Sequence, residues 1–192
     1  MRDTILQAAT DIIEADGHDF LQARALAAAA NCSVGSIYNH FGDLNGVLLA
    51  VNATTLQLLE ICLSERIAAE PNAPAADRLN AFGESYLKFA MAHIRRWRTL
   101  FDQRLADRAE ESASTSDDYA NIRALVEDVL KDQLSDPRDR ACAARAVFGA
   151  IHGNVALALD GRNGPCDADA AVGQIAFVVD CFVRAMTHPR PG

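Results

Sequence analysis

The chain has 192 residues, half of them hydrophobic, and its 18 basic and 26 acidic side chains give a net charge of −8. A chain of this length buries roughly 70% of its unfolded surface, enough for one domain or two small lobes, and a charged fraction of 23% excludes disorder throughout. Five cysteines, an odd number with no CxxC pair, exclude a disulfide scaffold or a zinc ribbon. Uninterrupted apolar runs fall short of the roughly 18 residues of a membrane span; even Ala146–Leu159 is broken by His152 and Asn154. The opening Met1-Arg2-Asp3-Thr4 has no apolar leader. The expectation is a cytoplasmic protein with no membrane partner.

The sequence predicts an all-α fold of about nine helices. Alanine numbers 36, against 21 for valine and isoleucine together, and no stretch alternates for long with period two. Ile5, Leu6, Ala9, Ile12 and Ile13 mark one face of a first helix that stops at Asp16-Gly17. A short second helix covers 23–30, and Asn31 is suited to the left-handed terminus after it. Ser33 caps a third short helix through His40, and Asp43 caps a long fourth one over 44–69. Helices over 75–94 and 97–108 follow, then a polar loop at 110–118 and a helix over 118–134. Asp136-Pro137 is a cap with proline at the first helical position, opening a helix to Leu159. The stretch 160–165 breaks the chain, Asp167 opens a last helix to Met186, and the tail beyond Thr187 is expected to fray.

Three short helices, the second and third joined tightly at Asn31-Cys32, describe a helix-turn-helix. Ala27 and Ala30 are small enough to let the backbones cross closely, and Ile37 and Phe41 supply the face that packs on the first helix. The other side of the third helix carries Val34, Gly35, Ser36, Tyr38, Asn39 and His40. A short helix offering small, polar and aromatic groups fits the major groove, and its N-terminal N–H groups favour phosphate. Arg24 is the best donor in the lobe for a bidentate contact with guanine, and Asn39 has the chemistry to pair with adenine.

Arg24-Ala25-Leu26-Ala27 followed by Ser33-Val34-Gly35-Ser36-Ile37-Tyr38-Asn39-His40-Phe41 resembles the tetracycline-repressor (TetR) family of bacterial regulators over residues 4–50. The Tyr-x-His-Phe ending before a long helix is its most recognisable stretch. Ala150-Ile151-His152-Gly153 is similar to a His-Gly run of one subset of the family's C-terminal domains. The resemblance implies a DNA-binding lobe over 1–47, with a ligand-binding and dimerisation lobe over 48–192. It further implies phosphate contacts from Ser36, Tyr38 and His40, base-edge contacts from Val34, Gly35 and Asn39, and Arg24 at a guanine or a phosphate; Ser33 joins the DNA-binding set as the cap of the third helix. The chain departs from the family pattern at Asn31 in place of glycine, Gln22 in place of a Ser or Thr cap, and Leu44 in place of a phosphate-touching lysine. Residues 1–50 hold Arg2 and Arg24 against six acidic residues, a net of −4. Since each neutralised phosphate sets a slope of about −0.9 in log K against log salt, this lobe is expected to show a shallow salt dependence.

In the C-terminal half, Ala146–Leu159 is apolar nearly all round, and the last helix adds a stripe of Val172, Ile175, Ala176, Val179, Val183 and Met186. Two helices this apolar predict a homodimer through the last two helices. Such a two-fold pair spaces its recognition helices about 34–36 Å apart, the geometry of a near-palindromic operator. Phe82, Tyr86, Phe89 and His93 recur at helical spacing, followed by Trp97 and Phe101. This stripe is either core or the wall of an apolar cavity for a small-molecule effector, with His152 and Asn154 either as its polar contacts or paired with each other's backbone or across the dimer. Arg95, Arg96 and Arg98 are expected to serve a helix C-terminus.

An enzyme finds little support. Gly83-Glu84-Ser85-Tyr86-Leu87 lacks the last glycine of a nucleophile elbow and sits inside a predicted helix, no HExxH occurs, and no glycine loop cradles phosphate, so no cofactor is expected. Two readings follow: a dimeric repressor of TetR type released by a small-molecule effector, or a dimeric small-molecule-binding protein whose DNA lobe is weakened.

Overall fold

A computed structural model describes residues 1–101, 119–160 and 167–187. The expected end of the sixth helix, the polar loop at 110–118, the break at 161–165 and the tail from 188 lie outside the described residues. Among those described, nine α-helices succeed one another: α1 (Arg2–Asp16), α2 (Ala23–Ala29), α3 (Val34–Phe41), α4 (Leu44–Ala68), α5 (Ala75–Ala92), α6 (Ile94–Thr99), α7 (Ala120–Val129), α8 (Pro137–Leu159) and α9 (Ala168–Thr187). A 3₁₀ turn at His18–Phe20 follows α1.

The chain forms two compact units. One comprises Met1–Leu58 with His93–Asp118, the other Leu59–Ala92 with Tyr119–Gly192. The core of the first is Ile5, Ala9, Ile13, Leu26, Ile37, Val47 and Val51, all withdrawn from solvent, as the i, i+4, i+8 pattern of α1 demands. The expected caps are in place. Asp43 Oδ1 accepts from the Gly46 amide at 2.8 Å, Asp136 Oδ1 from Arg138 at 2.7 Å, and Asp167 Oδ1 from Ala170 at 3.0 Å.

In the second unit α8 buries Ala144, Val147, Ile151, Val155 and Leu159, while α9 buries Ala171, Ile175 and Val179. Gly83 explains how closely α5 approaches them. A β-carbon there would lie 2.5 Å from Ile175 Cγ2 and 3.7 Å from Ile151. Gly83→Ala is therefore expected to destabilise by about 1–2 kcal/mol, overpacking outweighing the gain in helix propensity; a urea unfolding curve checks it, with a lower midpoint at unchanged slope.

One expectation needs correction. The fifth helix does not reach residue 94: it ends at Ala92, and His93, at φ −122° and ψ 37°, separates it from α6. His93 therefore leaves the stripe begun by Phe82, Tyr86 and Phe89. By length and composition alone, α4 and α8 are long and apolar enough to cross a membrane, although no uninterrupted apolar run is. Val47, Val51, Leu59, Leu63 and Ile67 of α4 are buried within the fold, which accounts for its apolar character.

Candidate functional site

The turn between α2 and α3 rests on Asn31, whose φ of 50° is the left-handed conformation expected of it. The Cys32 amide closes the turn on the Ala27 carbonyl at 2.9 Å. Ser33 Oγ then accepts from the Ser36 amide at 3.1 Å and meets the Ser36 hydroxyl at 2.9 Å, so both serines shape the start of α3. Gln22 makes no side-chain cap on α2. Ile37 is fully buried, which turns the opposite side of α3 outward: Tyr38 is 45% exposed, and Gly35, Asn39 and His40 are exposed, with Val34 and Ser36 half-buried. Arg24 is exposed on α2. Behind this surface the corner into α4 depends on Gly46, where any β-carbon would run into the Phe41 carbonyl oxygen. Gly46 has no signature in the sequence reading, because the constraint comes from the preceding helix.

A polar cluster ties α6 to α1 within the same unit. Arg96, 8% exposed, donates from Nη1 to Glu14 Oε1 at 3.1 Å and from Nε to Thr55 Oγ1 at 3.1 Å. Thr55 in turn donates to the Val51 carbonyl at 2.7 Å. His93 Nδ1 lies 3.2 Å from the same Glu14 oxygen. Arg95 donates to the carbonyls of Glu14, at 2.8 Å, and of Ala15. Burial raises the Glu14 carboxyl, but hydrogen bonds from Arg96 and His93, with their charges, outweigh it and hold the group below its ordinary 4.5. Arg95 thus serves a helix C-terminus, that of α1 and not of the helix it follows, while Arg96 pairs with the Glu14 side chain.

The aromatic stripe divides between the two units. Trp97 is buried in the first unit, with its ring 5.0 Å from that of the more exposed Phe101. In the second, Phe82, Tyr86 and Phe89 are buried on α5. The Tyr86 hydroxyl lies 3.0 Å from His152 Nδ1, and Phe148 stands edge-on to Tyr86 at 5.9 Å. Tyr119 meets Phe148 at 6.1 Å. Burial pushes the His152 imidazole below its ordinary range, which favours the neutral ring; with its proton on Nε2, Nδ1 accepts from Tyr86. Asn154 turns back instead, donating to the Ala150 carbonyl at 2.8 Å. Phe148 and Tyr119 were missed from sequence. Phe148 had a signal, standing four residues before His152 on one helix face; Tyr119, at a helix start, had none.

Among the described residues, nothing covers the outer stripes of α8 and α9. Leu157 is 60% and Phe177 71% exposed. Gly149 and Gly153 continue the α8 stripe at four-residue steps, and Gly173 precedes Phe177 at the same step; a β-carbon at any of the three would meet nothing within 4 Å.

Two family models match. Residues 5–51 match the bacterial regulatory proteins of the tetR family, and residues 79–178 match the tetracyclin repressor-like C-terminal domain. The chain belongs to the TetR family of transcriptional regulators, proteins that act by binding DNA and not by catalysis. Among curated proteins no sequence matches it. Its fold is shared by a protein of unknown function from Rhodococcus sp. RHA1, at 24% identity and a TM-score of 0.70 over 97% of this chain and 95% of that one. A TetR family regulator, PfmR from Thermus thermophilus, is 19% identical with a TM-score of 0.60, covering 94% and 97% of the two chains. The regulator FadR from Bacillus subtilis, solved with stearoyl-CoA, is 14% identical with a TM-score of 0.63 over 97% and 98%.

Proposed function

We propose that the chain is a cytoplasmic repressor that binds a near-palindromic operator as a homodimer and leaves it when a small-molecule effector binds. The observation carrying this reading is α3: capped by Ser33, anchored by buried Ile37, and offering Tyr38, Asn39 and His40 to solvent. Functionally, residues 1–47 form the DNA-binding lobe and 48–192 the effector and dimerisation lobe. Val34, Gly35 and Asn39 face base edges; Ser36, Tyr38 and His40 meet phosphates; Ser33 holds the helix start, and Arg24 reaches a guanine or a phosphate.

The last two helices form the dimer. Glycine in mid-helix costs about 1 kcal/mol against alanine, and nothing among the described residues requires Gly149, Gly153 or Gly173; a second copy packing closely on these stripes would. The effector site centres on Tyr86 and His152, with Phe82 and Phe89 as apolar wall; His93, Trp97 and Phe101, the rest of the expected ligand-binding set, lie in the first unit. The likeness to a regulator that holds stearoyl-CoA supports the presence of an effector without naming it. Effector binding shifts the population toward a lobe separation that no longer fits two grooves.

The net of −4 over residues 1–50 favours one other reading, a dimeric ligand-binding protein with a weakened DNA lobe. A mobility-shift assay with DNA flanking the chain's own gene, at two salt concentrations, separates them. A complex at low salt that weakens modestly at the higher one supports the repressor. No complex at either concentration, from a protein still dimeric, supports the second reading.

A further inference from the structure

Among the six acidic residues of 1–50 stand two cations, Arg2 and Arg24. Both are exposed, and neither forms an ion pair among the described residues, unlike Arg96, which Glu14 neutralises. Arg24 lies in the first turn of α2, at the end away from the helix-turn-helix turn. Arg2 opens α1, and its guanidinium carbon sits 5.0 Å from the centroid of the Phe41 ring. Phe41 is the last residue of α3, half-buried and packed against the lobe's core, and it directly follows the exposed run Tyr38-Asn39-His40. A half-buried ring on α3 therefore carries an exposed cation against its face at that helix's C-terminal end.

From this geometry we infer that Arg2 is a phosphate-binding residue of the DNA lobe, positioned by Phe41 at the far end of α3. The inference rests on the DNA-binding reading above. α3 has eight residues and so spans about 12 Å, comparable to the width of the major groove; a cation at its end stands where the groove gives way to the sugar-phosphate backbone. Stacking engages the face of a guanidinium and leaves its edge N–H groups free for two parallel bonds to a phosphate. The stack also restricts a long side chain before binding, so less rotamer freedom is lost on contact. The start of α4, where the family resemblance calls for a lysine, carries Asp43 and Leu44. The charge missing from α4 arrives from α1.

The test uses the duplex that the full-length wild-type chain enriches from a randomised library. Its affinity is measured for wild type, Arg2→Gln, Arg2→Lys and Phe41→Leu across a salt series, alongside thermal melts. Arg2→Gln is expected to bind about eightfold more weakly at 0.1 M salt and to reduce the steepness of log K against log salt by about 0.9, the share of one phosphate. Arg2→Lys should keep the slope, and Phe41→Leu should keep it with weaker affinity. An Arg2→Gln protein with an unchanged slope would overturn this inference alone, and a melt lowered without a slope change would show Arg2 to be only a packing residue. Failure of the wild type to enrich any duplex would overturn the DNA-binding reading, and this inference with it.

Discussion

Replacing Phe177 by arginine is expected to convert the protein to monomers and to weaken its binding to a two-half-site duplex by roughly 10²–10⁴-fold. Phe177 is 71% exposed on the outer stripe of α9, so the substitution removes little packing among the described residues. At the proposed interface it introduces a charge on both copies at once, because a two-fold axis uses the same patch on each subunit. The affinity loss follows from linkage. With the two lobes joined, capture of the second half-site is intramolecular, and that advantage disappears when they separate. Sedimentation velocity gives the mass, and anisotropy with one and two half-sites gives the affinities. The variant should bind the single half-site as the wild type does. A variant that stays dimeric would move the interface away from α8 and α9.

Arg96→Met is expected to cost about 2–3 kcal/mol and to lower the melting temperature by several degrees. Methionine keeps most of the apolar stem while removing hydrogen bonds to Glu14 and Thr55, and bonds to charged groups are worth about 1.5–3 kcal/mol. Glu14 is 40% exposed, so water solvates the carboxylate left behind, and the loss stays below that of a fully buried pair. The pH dependence has a definite sign. The carboxyl of Glu14 is held below 4.5 in the folded chain, so its contribution is present above that value and is lost as pH falls through the lower folded value. The stability gap between wild type and Arg96→Met should accordingly narrow as pH drops below about 4.5. Chemical denaturation at several pH values measures it, and a gap independent of pH would show that Glu14 is not the partner that matters.

What was legible in the sequence was local. Ser33, Asp43 and Asp136 declare their helix starts because a cap satisfies amides two or three residues away, and Asn31 declares its turn because few residues tolerate positive φ. The set exposed on α3 followed from Ile37 and Phe41 marking the face that packs inward. What escaped was non-local. The break at His93 has no glycine or proline to announce it, and the bonds that accompany it run to Glu14, 79 residues earlier. Burial of Arg96 was equally unreadable, since a charged side chain enters a core only where a distant partner awaits it; here that partner lies 82 residues away. The aromatic stripe loses His93 for the same reason: its spacing continues through the break, and the ring that meets Tyr86, Phe148, lies on another helix.

The most direct measurement is a hydroxyl-radical footprint of the wild-type protein, without effector and at low salt, on the duplex it selects from a randomised library. Two protected patches on one face of the DNA, centred about 34–36 Å apart, are the expected result. A single patch, or a library from which nothing is retained, would contradict a paired set of α3 helices reading successive major grooves.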